Sequence, residues 1–197
     1  MTIKKAEKNE AKIIAQIHRK SINTGFLSTF GDRFLTKLYE FIISADYCVC
    51  YIYRQKDTPV GFICVSLDSK KMYNDFLKKN LNLAITVFLK NAFSVNRLTK
   101  IFDHLFYNKK KKELPAAELL SVAVIEDFKR KKIGSKLFDK AINYFKNNKI
   151  NNFVITTGAS NIESNEYFKK NKCQLIKRIS IHKRNESRIR GKRRCIQ

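Results

Sequence analysis

Long apolar runs are missing from this chain of 197 residues. No stretch reaches the roughly 18 consecutive apolar residues that a bilayer-crossing helix needs. The opening "MTIKKAEKNEAK" is charged and carries no apolar h-region, which argues against a secretory signal and makes a cytoplasmic protein the expectation. Metal-ligand patterns are missing too. There are three histidines and five cysteines but no C-x-x-C pair, so no metal site is expected. Cys48, Cys50, Cys64, Cys173 and Cys195 are expected as reduced thiols, with Cys48 and Cys50 packing on one face of a strand. Neither a zinc-finger spacing nor the aromatic–glycine pattern of an RRM occurs.

Acidic residues are scarce. Seventeen Asp and Glu face 41 Lys and Arg, for a formal net charge of +24. Residues 177–197 hold nine of these cations, and Lys109 to Lys112 form another block. Such a charge attracts polyanions, whether nucleic acid, anionic lipid or a phosphorylated small molecule. A lysine-rich, well-solvated surface has the same composition, and no obligatory nucleic-acid partner is expected.

What is present is a globular chain. A content of 44% hydrophobic and 12% aromatic residues excludes disorder, and the length suits one domain with a real core. Ile3 to Ala6 reads as a short strand. Ala11, Ile14, Ala15 and Ile17 give a helix over residues 8–20, and Phe34, Leu35, Leu38, Phe41 and Ile42 give a second, with a loop between them. Residues 46–54 alternate as a strand, with Tyr47, Val49, Tyr51 and Tyr53 on one face and Cys48, Cys50 and Ile52 on the other. Val60 to Leu67 follows after a turn, predicting a hairpin. Residues 70–112 interrupt this rhythm as a helical insertion between strands 3 and 4, with helices near 73–92 and 95–107. A lid, a homodimer surface, a membrane-surface contact or plain packing would each suit that basic, amphipathic pair.

The densest information lies in residues 118–138, "ELLSVAVIEDFKRKKIGSKLF". A β-branched run stops at Glu126 and Asp127. A basic segment and Gly134 follow, and the apolar period then becomes helical through Ile133, Leu137, Phe138, Ala141, Ile142 and Phe145. A strand therefore feeds a helix through a short basic loop. Unpaired amides and the positive end of the dipole make such a helix start a phosphate site. Asn152 to Thr157 is another strand, Ser160-x-x-Glu163 reads as a capping box opening a short helix, and Cys173 to Ile181 alternates as a strand. The expectation is one α/β domain over residues 1–182, a three-layer mixed sheet, with a basic C-terminal tail at 183–197.

At this point the residues resemble the GNAT-type acyl-CoA N-acyltransferase superfamily. The family's loop reads Gln/Arg-x-x-Gly-x-Gly/Ala. Here Lys129-Arg130-Lys131-Lys132-Ile133-Gly134 occupies it, with Lys132 in place of the first glycine. "NIESNEYFKKNKC" is similar to the family's Asn-x-x-Ala-x-x-Phe-Tyr-x-Lys-x-Gly-Phe, but the aromatic order is swapped, so that Phe168 stands at the tyrosine position and Tyr167 precedes it. Residues 17–42 resemble acetyltransferases of bacterial surface-sugar biosynthesis.

The resemblance implies an N-acetyltransferase using acetyl-CoA. Its pyrophosphate would lie on the amides of Lys131, Lys132, Ile133, Gly134 and Ser135, with Lys129, Arg130 and Lys131 adding charge. The pantetheine would pair with the strand edge at Val122, Ala123 and Val124, where an N–H can hold the developing oxyanion. Asn161 would face the pantetheine or cap its helix. Glu118 would be general base or a solvated strand residue, and Tyr167 general acid or packing. Gly25, Phe26 and Leu27 would line the acceptor pocket. The acceptor implied is a primary amine of a small molecule, such as an amino sugar or a nucleotide-linked one, or else of a protein. A basic, non-catalytic nucleic-acid- or ribosome-associated module is the reading from another class.

Overall fold

The computed structural model describes residues 2–22, 27, 30–83, 114–182 and 185–193. Strand β1 (Thr2–Lys5) leads through a short 3-10 turn to helices α1 (Ala11–Ser21) and α2 (Gly31–Ser44). Strands β2 (Cys48–Gln55) and β3 (Thr58–Ser66) precede α3 (Ser69–Lys79). Then come β4 (Glu118–Val124), α4 (Ile133–Asn147), β5 (Asn152–Gly158), α5 (Ile162–Lys170), β6 (Gln174–His182) and β7 (Asn185–Arg193). The seven strands form one sheet in the order β1-β2-β3-β4-β5-β7-β6, with β4 and β5 its parallel pair.

Period-2 patterning separates the two faces of the sheet. Cys48, Cys50, Ile52, Phe62 and Cys64 pack under Ile14, Ile17, Leu35, Leu38 and Ile42 of α1 and α2. Val49, Tyr53, Ile63, Val65 and Leu119 pack under Leu137, Phe138, Ala141 and Phe145 of α4. The result is the expected three-layer α/β sheet. Tyr47 departs from its expected face because it precedes β2; it joins the α1/α2 side and donates its hydroxyl to Asp75 at 2.8 Å.

Two expectations are corrected. The β2–β3 register sets Cys50 directly opposite Cys64, and the two form a disulfide, while Cys48 keeps its thiol. The boundary at 182 also falls, because β7 lies within the sheet, bonded to β5 along Asn152–Gly158 and to β6 on its other side. Apolar periodicity was blind to it. Main-chain bonds hold this strand, and its described buried residues are Arg190 and Gly191. The second helix expected in the insertion, near 95–107, lies outside the described residues, as do Gly25 and Phe26. Among the described residues no helix is long and apolar enough to cross a membrane.

Candidate active site

Strand β4 is where the sheet opens. It pairs with β5 only at Glu118↔Val154 and Leu119↔Ile155. Beyond those positions the strands diverge, and β5 gives its other edge to β7. On the opposite side β4 stays bonded to β3 as far as Val124. From Leu120 to Val124 the β5-facing edge of β4 therefore presents main-chain donors and acceptors with no strand partner among the described residues. The pairs Cys64↔Ser121 and Val65↔Leu119 leave Leu120 unopposed, so a β-bulge sits at the point of divergence. A bulge bends the strand and re-aims the residues that follow it.

At the end of β4 a 3-10 turn, Glu126–Phe128, feeds the basic loop. Arg130 and Lys132 take φ of 58° and 60°. Lys132 is the N-cap of α4 at φ 60°, ψ 11°. The position that the family fills with glycine thus keeps a glycine's backbone while carrying a lysine. The first helical bond runs from the Lys136 N–H to the Lys132 carbonyl at 3.1 Å. The amides of Ile133, Gly134 and Ser135 precede that bond and have no carbonyl one turn back. They form the positive pole of a helix of 15 residues.

The loop's cations are not equivalent. Lys129 Nζ lies 2.7 Å from Glu126 and 2.9 Å from Glu163, tying the loop to the first turn of α5. The Glu126 carboxylate, and behind it Glu163, hold this ammonium above the usual lysine range. Lys131 donates to the Asp127 carbonyl at 2.9 Å and lies over the Phe128 ring. Arg130 is exposed and has no ion pair among the described residues.

Helix α5 closes the other side. Asn161 Oδ1 accepts the Ser164 N–H at 3.0 Å, so the cap is Asn161 rather than Ser160, and Glu163 serves the bridge to Lys129 instead of a capping box. Tyr167 donates its hydroxyl to the Gly134 carbonyl at 2.7 Å. A Cβ on Gly134 would come within 3.2 Å of Tyr167 Cε2, so this glycine makes room for a side chain of the same protein. Burial pushes the Tyr167 hydroxyl well above its ordinary pKa, Cys173 and Asp139 adding to the shift. Its proton is committed to a main-chain acceptor. Phe168, at the family's tyrosine position, is buried against Phe138.

Glu118 stands at the closed end of the opening, half-buried, and accepts the Thr156 hydroxyl at 3.4 Å. Leu27 packs against the α1/α2 core. Sequence reasoning missed two polar groups. Asn165 fastens the exit of β5: its Nδ2 donates to the carbonyls of Asn161 at 2.7 Å and Gly158 at 2.9 Å, and its Oδ1 accepts from Thr157 at 3.0 Å and Arg190 at 3.4 Å. The i, i+4 spacing from Asn161 was its one sequence signal. The second group is a buried chain: His18 Nδ1 lies 2.5 Å from Tyr39 Oη, and Tyr39 Oη lies 3.1 Å from Ser121 Oγ.

A strand splayed from its parallel neighbour, a bulge at the splay and a phosphate-type helix start beside it define an acyl-CoA-dependent transferase. Residues 16–172 match the Acetyltransferase (GNAT) family, and the chain belongs to that family. It is an acetyltransferase whose acyl donor is acetyl-CoA. Solved structures share the fold. The PaiA N-acetyltransferase from Thermoplasma acidophilum, in complex with coenzyme A, aligns at TM-score 0.56 and 13% identity over 98% of this chain and 100% of that one. A GNAT-family acetyltransferase from Streptococcus pneumoniae aligns at 0.59 and 14% over 98% of each chain. The ribosomal-protein-S18-alanine N-acetyltransferase from Escherichia coli aligns at 0.59 and 11% over 96% of this chain and 91% of that one. No curated protein sequence matches the chain.

Proposed function

We propose that this protein acetylates a primary amine of a small acceptor, an amino sugar or nucleotide-linked amino sugar, at the open edge of β4. The observation that carries the site is the divergence of β4 from β5 after Leu119, next to the free amides of α4. The amides of Lys131 to Ser135 receive the donor's pyrophosphate, with the exposed Arg130 as its principal side-chain cation. The β4 edge at Val122, Ala123 and Val124 pairs with the pantetheine, and an N–H there polarises the acetyl carbonyl. Glu118 takes the amine proton, directly or through water. Asn161 is engaged as a helix cap through its carbonyl oxygen, leaving its amide nitrogen for the donor. Tyr167 braces the α4 start and supplies no proton. A thiolate of pKa about 8.5 leaves without an acid. The sugar is argued from the resemblance of residues 17–42, and the nucleotide link, which brings negative phosphate, from the +24 of the chain.

Calorimetric titration with acetyl-CoA, with CoA and ADP as controls, tests the donor site. Wild type binds in the micromolar range, and both Gly134→Asp and the exposed Arg130→Glu lose affinity. Arg130→Glu guards against a folding defect, since Gly134→Asp also collides with Tyr167. An acceptor screen then runs from amino sugars to peptide amines. Turnover on peptide amines alone would replace the sugar reading. Salt-sensitive RNA binding with no acetyl-CoA binding would replace catalysis itself.

A further inference from the structure

Resting on that reading of the β4 edge, we propose that Ser121 is a substrate-contacting residue that binds the acceptor amine, its hydroxyl aimed by the buried Tyr39 and His18. Ser121 follows the bulged Leu120, at the point where β5 has left β4. It is half-buried, whereas Tyr39 is fully buried and His18 is 2% exposed. The chain runs inward from the open edge, through Ser121 and Tyr39, and ends on an imidazole whose Nε2 is buried without a hydrogen-bond partner. Phe62 flanks both rings, edge-on to Tyr39 and stacked on His18.

Packing alone does not account for this arrangement. A buried hydroxyl and a buried imidazole in an apolar core are costly to desolvate, and one imidazole nitrogen is left unsatisfied. What the chain achieves is orientation. Burial lowers the His18 pKa from 6.5 to about 4, so the ring is neutral and carries one proton. With that proton on Nε2, Tyr39 donates to Nδ1, Ser121 donates to Tyr39, and Ser121 turns a lone pair outward to accept an amine N–H. With the proton on Nδ1 the polarity reverses along the whole chain, and Ser121 turns its O–H outward toward an amine lone pair. Only the first arrangement holds the amine by an N–H and leaves its lone pair free to attack. Ser121 also lies two residues before Ala123, which belongs to the α1/α2 core, so its side chain shares that face of β4. Tyr39 and His18 are positioning residues, since neither reaches the edge.

The test is thiol release from acetyl-CoA with glucosamine and with an amine-bearing peptide as acceptors, for wild type, Ser121→Ala, Ser121→Thr, Tyr39→Phe and the double variant Ser121→Ala/Tyr39→Phe. Loss of one hydrogen bond to the amine predicts about a tenfold fall in kcat/KM for the amine in Ser121→Ala, with the acetyl-CoA Kd unchanged and Thr restoring activity. Tyr39→Phe falls in the same direction, and the double variant is no worse than Ser121→Ala, because Tyr39 acts only through Ser121. Independent, multiplying effects overturn the proposal, as does a Ser121→Ala enzyme with wild-type parameters. Wild type that binds acetyl-CoA but acetylates no amine overturns it as well. Wild type that fails to bind acetyl-CoA overturns instead the donor site on which it rests.

Discussion

Lysine stands where the backbone asks for glycine. Among the described residues, Lys56, Arg130, Lys132, Lys149 and Lys172 all have φ between 54° and 60°. Left-handed geometry costs a residue with a Cβ about 1–2 kcal/mol, partly offset by the greater chain entropy that glycine loses on folding. Lys132→Gly should therefore raise stability by about 1 kcal/mol, read as a higher denaturant midpoint at unchanged m-value. Gly134 has the opposite logic. Gly134→Ala should lower stability by about 1–2 kcal/mol in the Tyr167 protein, because the new Cβ meets the tyrosine ring at 3.2 Å. A double-mutant cycle with Tyr167→Ala should remove most of that penalty; an equal penalty in both backgrounds would show that the contact is not the cause. The glycine was legible in the sequence as part of a motif. Its neighbour in space, 33 residues along the chain, was not.

Among elements, those with an apolar stripe were legible and those held by main-chain bonds were not. The α4 stripe was read correctly, because Ile133, Leu137, Phe138, Ala141 and Phe145 are the residues that α4 buries, with Ile142 half-buried beside them. Strand β2 likewise divides its side chains between the two cores. Strand β7 carried no such signal, yet it bonds to both β5 and β6. Deletion of residues 183–197 should leave β5 and β6 without their shared partner and remove the Arg190 contacts to Asn165 and Cys173. The expected outcome is an insoluble or non-cooperatively melting protein. Circular dichroism and thermal denaturation check it, and a truncated protein that melts like the full chain would restore the tail reading.

On the scale of the whole molecule, burial of His18 links stability to pH. Its pKa falls from 6.5 to about 4 on folding. Between those values the unfolded chain binds a proton that the folded chain refuses, so stability declines as pH drops from 6.5 to 4 and this contribution levels off below. The full effect is of order 3 kcal/mol. His18→Gln should flatten that part of the pH–stability curve, measured by chemical denaturation at stepped pH.

The sequence by itself determined the layered α/β architecture, the passage from strand through basic loop to helix, and the acetyltransferase family, because side-chain periodicity and a short contiguous motif are local properties. Tertiary structure alone decided the rest. It chose which loop cation is ion-paired across elements, since Glu163 reaches Lys129 from α5. It set the Tyr167 hydroxyl on the Gly134 carbonyl. It opened β4 beyond Leu119, where β5 stays bonded to β7 and leaves β4. The join of His18, Tyr39 and Ser121 spans α1, α2 and β4. Each of these is a contact between residues far apart in the chain, and pairing at a distance is fixed only when the core closes around it.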